Sequence, residues 1–209
     1  DRQLKGEGRR GGEWFSPEGG LWFSLILRPE CRPELTSLYP FIASVAVIKV
    51  VEKLYSLSCR IKWPNDVLIG EKKVAGAMCR IKLEKNFVKF AIVGVGVNLN
   101  VTGFPSELQN RATSLLLESS RMGEPSLFLD FFLKVFEDIY IMSKNNLPGV
   151  LEKIKEFLPA PGTRVKVSHL SEDKIAVVKS IDLEGCLLLE VEDEVRKISP
   201  DESFLISFL

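Results

Sequence analysis

The spacing of apolar positions along this 209-residue chain changes period several times, and the changes lay out its elements. Residues 6–12 (Gly-Glu-Gly-Arg-Arg-Gly-Gly) read as a loop, followed by a turn at Ser16-Pro17-Glu18-Gly19-Gly20. Residues 21–27 (Leu-Trp-Phe-Ser-Leu-Ile-Leu) form a short apolar run bounded by Gly and Pro, which predicts a buried strand. Between 37 and 57 the apolar residues Leu38, Ile42, Val45, Ile48 and Leu54 fall at helical spacing, with Ser37 as the expected cap and Pro40 in the first turn. Three strands then read as an antiparallel meander over 67–69, 73–83 and 87–98, turning at Gly70-Glu71 and Glu84-Lys85-Asn86. Residues 126–144 predict an amphipathic core helix with Leu127, Phe128, Phe131, Val135, Phe136 and Ile139 along one stripe, and 150–157 a second helix.

Pro159-Ala160-Pro161-Gly162 is the best linker signal in the chain, and beyond it the pattern becomes one of short strands. Runs at 164–168, 174–181, 186–190, 194–198 and 203–208 read as a small barrel. The expected class is α+β, with a mixed or antiparallel-sheet domain over 1–158 and a small β-domain over 162–209.

Composition narrows the functional classes. The residues are 45% hydrophobic and 27% charged, as for a globular protein with a sizeable core, and 28 charges of each sign argue against a nucleic-acid coat or a membrane-surface protein. No apolar run reads as a membrane span and no signal-peptide pattern opens the chain. Cys31, Cys59, Cys79 and Cys186 are far apart and His169 is the single histidine, so a zinc site or a Ser-His-Asp set is not expected; free, mostly buried thiols in a cytoplasmic setting are. The chain opens on Asp1, at what reads as the end of a strand, so an upstream segment is expected.

The chemistry-bearing residues form a sparse set. In Lys62-Trp63-Pro64-Asn65-Asp66 a rigid turn holds a cation, an indole, an amide and a carboxylate in one corner, between Cys59-Arg60-Ile61 and Val67-Leu68-Ile69. Alone, such a motif reads as a solvated turn, and only the motifs that accompany it point to a site. Asp66 is expected to hold Lys62, or a Mg²⁺ carried by a nucleotide. The glycine loop lacks the context of a dinucleotide fingerprint or a Walker loop; its physical sense is a mobile segment whose amides approach an anion while Arg9 and Arg10 neutralise it. Lys73-Val74-Ala75-Gly76-Ala77 adds a second lysine and small residues, and Gly94, Gly96 and Asn98 repeat the theme on the next strand; such space admits a flat ligand or reflects tight packing.

Taken in order, Gly-x-Gly-Arg-Arg-Gly, Trp14-Phe15-Ser16-Pro17-x-Gly-Gly, Lys62-Trp63-Pro64-Asn65-Asp66, Lys73-x-Ala75-Gly76 and Gly94-x-Gly96-x-Asn98 resemble the motifs of biotin protein ligases. The likeness continues through Phe104-Pro105, Ala112-Thr113-Ser114-Leu115 and Gly185-x-Leu187-Leu188-Leu189, and so covers the chain. The resemblance implies a catalytic domain of the class II synthetase-like type followed by an SH3-like barrel. It implies a two-step reaction, in which biotin and Mg-ATP give biotinyl-5′-adenylate and the acyl group passes to a lysine of a biotin carboxyl carrier protein domain. It places Gln3 and Lys62 at biotin, with Lys62 also near the acyl–phosphate oxygens, and Gly76, Ala77 and Gly94 around the biotin pocket. Arg9 and Arg10 are to meet phosphate, Arg9 with Lys62 carrying catalysis; Trp14 and Asn98 lie on the nucleotide side, and Asn65, Asp66 and Lys73 support. No tightly bound metal is expected, and a homodimer is left open.

The chain departs from the family pattern inside the loop. Glu7 stands where the family usually has Arg and Gly12 where Arg or Lys is frequent, which predicts a looser loop and weaker adenylate retention; Lys5, where a small residue is usual, partly restores the local charge. The family's Ser-Thr-Asn pocket segment and the helix-turn-helix domain of its repressor members would precede Asp1. A lipoate–protein ligase and a non-catalytic biotin- or adenylate-sensing module are the rival readings.

Overall fold

The computed structural model describes residues 2–169, 172–200, 202 and 205–208. Strands β1 (Leu21–Leu27), β2 (Arg60–Lys62), β3 (Asp66–Ile69), β4 (Lys72–Glu84) and β5 (Phe87–Val97) make one sheet in the order β1-β5-β4-β3-β2, every neighbouring pair antiparallel. The meander is therefore as expected, and β1 closes it by pairing with the far strand, Leu21 opposite Val97 and Leu27 opposite Ala91. Alternation then sorts the side chains. Phe23 and Leu25 of β1 and Val93, Val95 and Val97 of β5 point inward, while Trp22, Ser24, Gly94 and Gly96 line the open face.

Two long helices cover the inner face: α1 (Tyr39–Tyr55) and α3 (Pro125–Asn145). Phe41, Ile42, Val45, Ile48 and Val51 of α1 are fully buried. The helix is preceded by a 3₁₀ run (Pro33–Leu38), so Ser37 is not its cap; the Ser37 hydroxyl donates instead to the carbonyls of Glu34 and Glu184. Taken together, Pro33–Tyr55 is long and apolar enough to cross a membrane, with a mean hydropathy of 1.5, but 72% of that window is buried against the sheet and α3, as a core helix requires. On α3 the deeply buried stripe is Phe128, Phe132, Phe136 and Ile139, rotated from the expected one; Leu127 is exposed and Phe131 and Val135 sit at the margin. Phe132 meets Phe23 edge-on with ring centroids 4.9 Å apart, which fixes the rotation.

A short helix, α2 (Leu115–Ser119), was not signalled by periodicity; the Ser114 hydroxyl caps it by accepting from the amide of Leu117. Helix α4 (Leu147–Lys155) begins earlier than 150 because Asn146 accepts from the Gly149 amide and Pro148 fits the first turn.

The C-terminal strands β6 (Arg164–His169), β7 (Glu172–Ile181), β8 (Leu187–Val191), β9 (Glu194–Ile198) and β10 (Leu205–Phe208) form a second antiparallel sheet ordered β10-β6-β7-β8-β9. Among the described residues no ladder joins β9 to β10, so the sheet is open where a closed barrel was expected. Glu194, Arg196 and Lys197 on β9 are exposed, and such a charged edge resists further pairing. Part of the expected strand at 203–208 lies outside the described residues, as does the side chain of His169. The two sheets share one continuous apolar core. They are also pinned by polar contacts, with Trp63 Nε1 donating to the Gly185 carbonyl at 3.1 Å.

Candidate active site

The glycine loop folds back on itself as a small ribbon. The Trp14 amide donates to the Gly6 carbonyl at 2.9 Å and the Gly8 amide to the Gly12 carbonyl at 2.6 Å, with Glu7 paired opposite Glu13. Arg9, Arg10 and Gly11 form the tip, where Arg10 and Gly11 take left-handed conformations with φ of 56° and 73°. Its base is tied by Gln3, whose amide N–H donates to the Ser16 carbonyl and whose side-chain carbonyl accepts from the Ser16 hydroxyl at 2.7 Å.

Beneath this ribbon the open face of the sheet forms the floor of a cleft of about 450 Å³. Cross-strand register builds the floor in rows: Trp22, Gly96 and Gly76; Ser24, Gly94 and Met78; then Ile92 and Arg80. The first row has no room for methyl groups, because a Cβ on Gly96 would stand 2.8 Å from the Trp14 ring and one on Gly76 3.0 Å from it. The indole of Trp14 thus rests on bare backbone, edge-on to Trp22 at 6.1 Å. Its Nε1–H is buried and without a hydrogen-bond partner, an uncommon state for an indole donor.

Lys73 reaches the same place by a break in the ladder. Val67 pairs with Ala75 but Leu68 pairs with Lys73, so β4 bulges at Val74 and the lysine is re-aimed. Its Nζ lies 2.5 Å from Asp66 Oδ1 and 4.6 Å from the Trp14 ring centroid. On the far side of this group a second cleft of about 380 Å³ opens between Phe15, Lys62, Leu68 and the 104–112 segment. Trp14, Asp66 and Lys73 line both clefts and are the wall they share.

The residues singled out from sequence divide between the two spaces. Gln3, Arg9, Asn65, Gly76, Ala77 and Gly94 line the larger cleft, whereas Lys62 and Asn98 line the smaller one. Asp66 pairs with Lys73 rather than with Lys62. Asn65 links loop and floor, accepting from Arg9 Nη1 at 3.1 Å and donating to the Ala77 carbonyl at 2.7 Å. Arg9 and Arg10 also donate to the carbonyl of Pro200, which brings the second sheet to the loop. Asn98 is buried and donates to the carbonyls of Thr113 and Lys73, holding the lysine's main chain.

Glu7 is paired with Arg80 of β4 at 2.6 Å. Sequence reasoning gave no site role to Arg80, Met78 and Trp22 on the floor or to Arg111 in the smaller cleft, and noted Phe104 only as part of the resemblance. Strict alternation along β4 from Gly76 would have exposed the first two.

The groups whose titration the fold displaces most lie outside the clefts. Burial pushes the Cys59 thiol up to about 12 and Cys186 up to about 11, and neither lines either cleft. These remain protonated thiols at neutral pH.

This fold, an antiparallel sheet backed by helices with a basic glycine loop over its open face, is similar to that of solved biotin protein ligases. The biotin protein ligase from Aquifex aeolicus, solved in complex with biotin and ATP, superposes with a TM-score of 0.83 at 28% identity, covering 100% of this chain and 87% of that one. Residues 1–98 match the model of the Biotin/lipoate A/B protein ligase family. The chain is 34% identical over 203 residues to the Bifunctional ligase/repressor BirA of Bacillus subtilis, and it spans 95% of this chain but 62% of the length of that relative. It is 33% identical over 139 residues to the Biotin--[acetyl-CoA-carboxylase] ligase of Paracoccus denitrificans, covering 64% of this chain and 58% of that protein. The resemblance drawn from the motifs is thus borne out in sequence and in fold.

Proposed function

We propose that this chain carries a biotin protein ligase activity, forming biotinyl-5′-adenylate from biotin and Mg-ATP and transferring the biotinyl group to a lysine of a biotin carboxyl carrier domain. The observation that carries the reading is the shared wall of Trp14, Asp66 and Lys73 between two clefts. Two substrates that must be joined need two spaces meeting at a cation. The larger cleft, lined by Gly94, Met78 and Ala77, suits the apolar body of biotin; the smaller, with Asn98, Phe104 and Arg111, suits the nucleotide.

In the first step a biotin carboxylate oxygen attacks the α-phosphorus of ATP, and the bond to the bridging oxygen breaks to release pyrophosphate. Negative charge gathers at the junction. Lys73 is the cation already there, which moves the main catalytic role from Lys62 to Lys73 and leaves Lys62 on the nucleotide side. Arg9 and Arg10 stand on the roof, where they offset phosphate charge and the loop keeps water from the acyl-adenylate. In the second step the carrier lysine's neutral amine attacks the acyl carbon, AMP leaves, and the amide nitrogen loses its proton. The unpartnered Trp14 Nε1–H is a donor held ready for a ligand oxygen.

The reading extends to an SH3-like role for the second sheet, domain limits of 1–158 and 162–209, and a cytoplasmic setting; Mg²⁺ enters with ATP as substrate. The test is incubation of the chain with biotin, Mg-ATP and an acceptor carrier domain, scoring biotin on the acceptor by mass spectrometry. Biotinylation supports the proposal. Adenylate without transfer favours a sensing module, and a thermal shift with lipoate but not biotin favours the lipoate ligases.

A further inference from the structure

The glycine loop is anchored at two points that differ in kind. At its tip, Arg9 reaches Asn65, whose amide is fixed to the Ala77 carbonyl. On its incoming leg, Glu7 reaches Arg80, three residues further along the same strand from Ala77, about 10 Å at the rise of a β-strand. The ribbon is therefore pinned to the floor near both ends of the larger cleft. The second anchor also answers a charge problem inside the ribbon: Glu7 stands opposite Glu13, and like charges at opposed positions repel. Arg80 supplies the counter-charge on one side.

We propose that Arg80 is a positioning residue which, through Glu7, holds the glycine loop closed over the larger cleft, so that the acidic residue in the loop tightens it. The pair replaces the expectation of a loosened loop. Glu7 without a partner would weaken the basic loop; Glu7 bound to Arg80 fastens its leg, while Arg9 and Arg10 at the tip bond Asn65 and the Pro200 carbonyl. Both side chains are about 60% exposed, at 61% for Glu7 and 60% for Arg80, so the effect is modest and weakens with salt.

The test is a charge reversal on the whole chain: E7R, R80E and the double variant E7R/R80E. The first readout is amide hydrogen exchange over residues 6–14 without ligand, corrected for intrinsic rates, since the Gly8 and Trp14 amides carry the ribbon's ladder. R80E is expected to exchange about two- to fivefold faster, the range for an exposed ion pair, and the double variant, which restores an opposite-charge pair, to return at least to the parent rate; E7R alone, whose arginine faces Glu13 as well as Arg80, measures the balance of the two contacts. The second readout, which rests on the proposed ligase activity, is the release rate of biotinyl-5′-adenylate; it should rise and recover in the same pattern. An R80E variant that matches the parent, or a double variant no better than R80E, overturns the proposal. Recovery of exchange protection in a chain that makes no adenylate leaves the ion pair standing and removes the ligase reading instead.

Discussion

Replacing Lys73 by Gln separates the lysine at the junction of the clefts from Lys62, which the resemblance placed in catalysis with Lys73 in support. Lys73 Nζ is 2.5 Å from Asp66 Oδ1, with 29% and 28% of the two side chains exposed, and it lines both clefts. Lys62 lines the smaller cleft alone. Removing the Lys73 cation leaves Asp66 half-buried and unpaired, a loss of about 1–2 kcal/mol once partial exposure is discounted. For a chain of this size that lowers Tm by roughly 2–8 °C. The catalytic loss is larger, because a preorganised charge at the reacting centre is worth about 10²–10³ in rate, or roughly 3–4 kcal/mol. The assay is biotin-dependent exchange of pyrophosphate into ATP, which reads the first step without any carrier. K73Q is expected to lose about 10²–10³-fold, and K62Q less than about tenfold, with most of the K62Q effect in KM for ATP. The double variant D66N/K73Q separates stability from chemistry: it should regain Tm and stay slow. If K62Q costs as much rate as K73Q, or if D66N/K73Q recovers exchange, the junction is not where the charge is needed.

The cleft floor distinguishes its glycines. Gly96→Ala would place a methyl 2.8 Å from the Trp14 ring, so it should destabilise by about 1–3 kcal/mol and shift the tryptophan emission. Gly94→Ala meets Met78 Cγ at an ordinary 3.5 Å, so it should fold with unchanged Tm yet raise KM for biotin about tenfold. Phe132→Ala removes a fully buried ring packed on Phe23 and Phe136 and should cost about 3–5 kcal/mol in urea unfolding. Asp182 tests pH linkage. Burial alone would raise its pKa, but hydrogen bonds from Lys197 Nζ and from the amides of Cys186 and Glu184 outweigh it and hold the carboxyl below the ordinary range. A depressed folded-state pKa gives stability that is present above about pH 4 and lost as pH falls through the folded value. Asp182→Asn should flatten that acid limb in thermal melts between about pH 5 and 2; an unchanged slope would refute the linkage.

Much of the architecture was readable because its signals are local. Periodicity located β1, the meander, both long helices and the five C-terminal strands, since alternation and helical spacing report which face of an element is buried. The boundaries moved where a local hydrogen bond decided them, as at Asn146 for α4 and Ser114 for α2. The face of α3 moved because a tertiary partner, Phe23, selected Phe132.

At the candidate site, the kinds of residue were local information and their grouping was not. Glycines at alternate positions, a basic loop and a rigid Trp-Pro-Asn-Asp corner can be seen in the letters, because each encodes its own backbone and charge. Which lysine faces Asp66 depends on a bulge at Val74, and a bulge arises from the pairing of two strands. Likewise, the sign of Glu7 is plain in the sequence, but its effect depends on Arg80, 73 residues away on the floor of the cleft. Charge becomes interaction only at contact distance, and contact between distant residues is what the folded chain alone supplies.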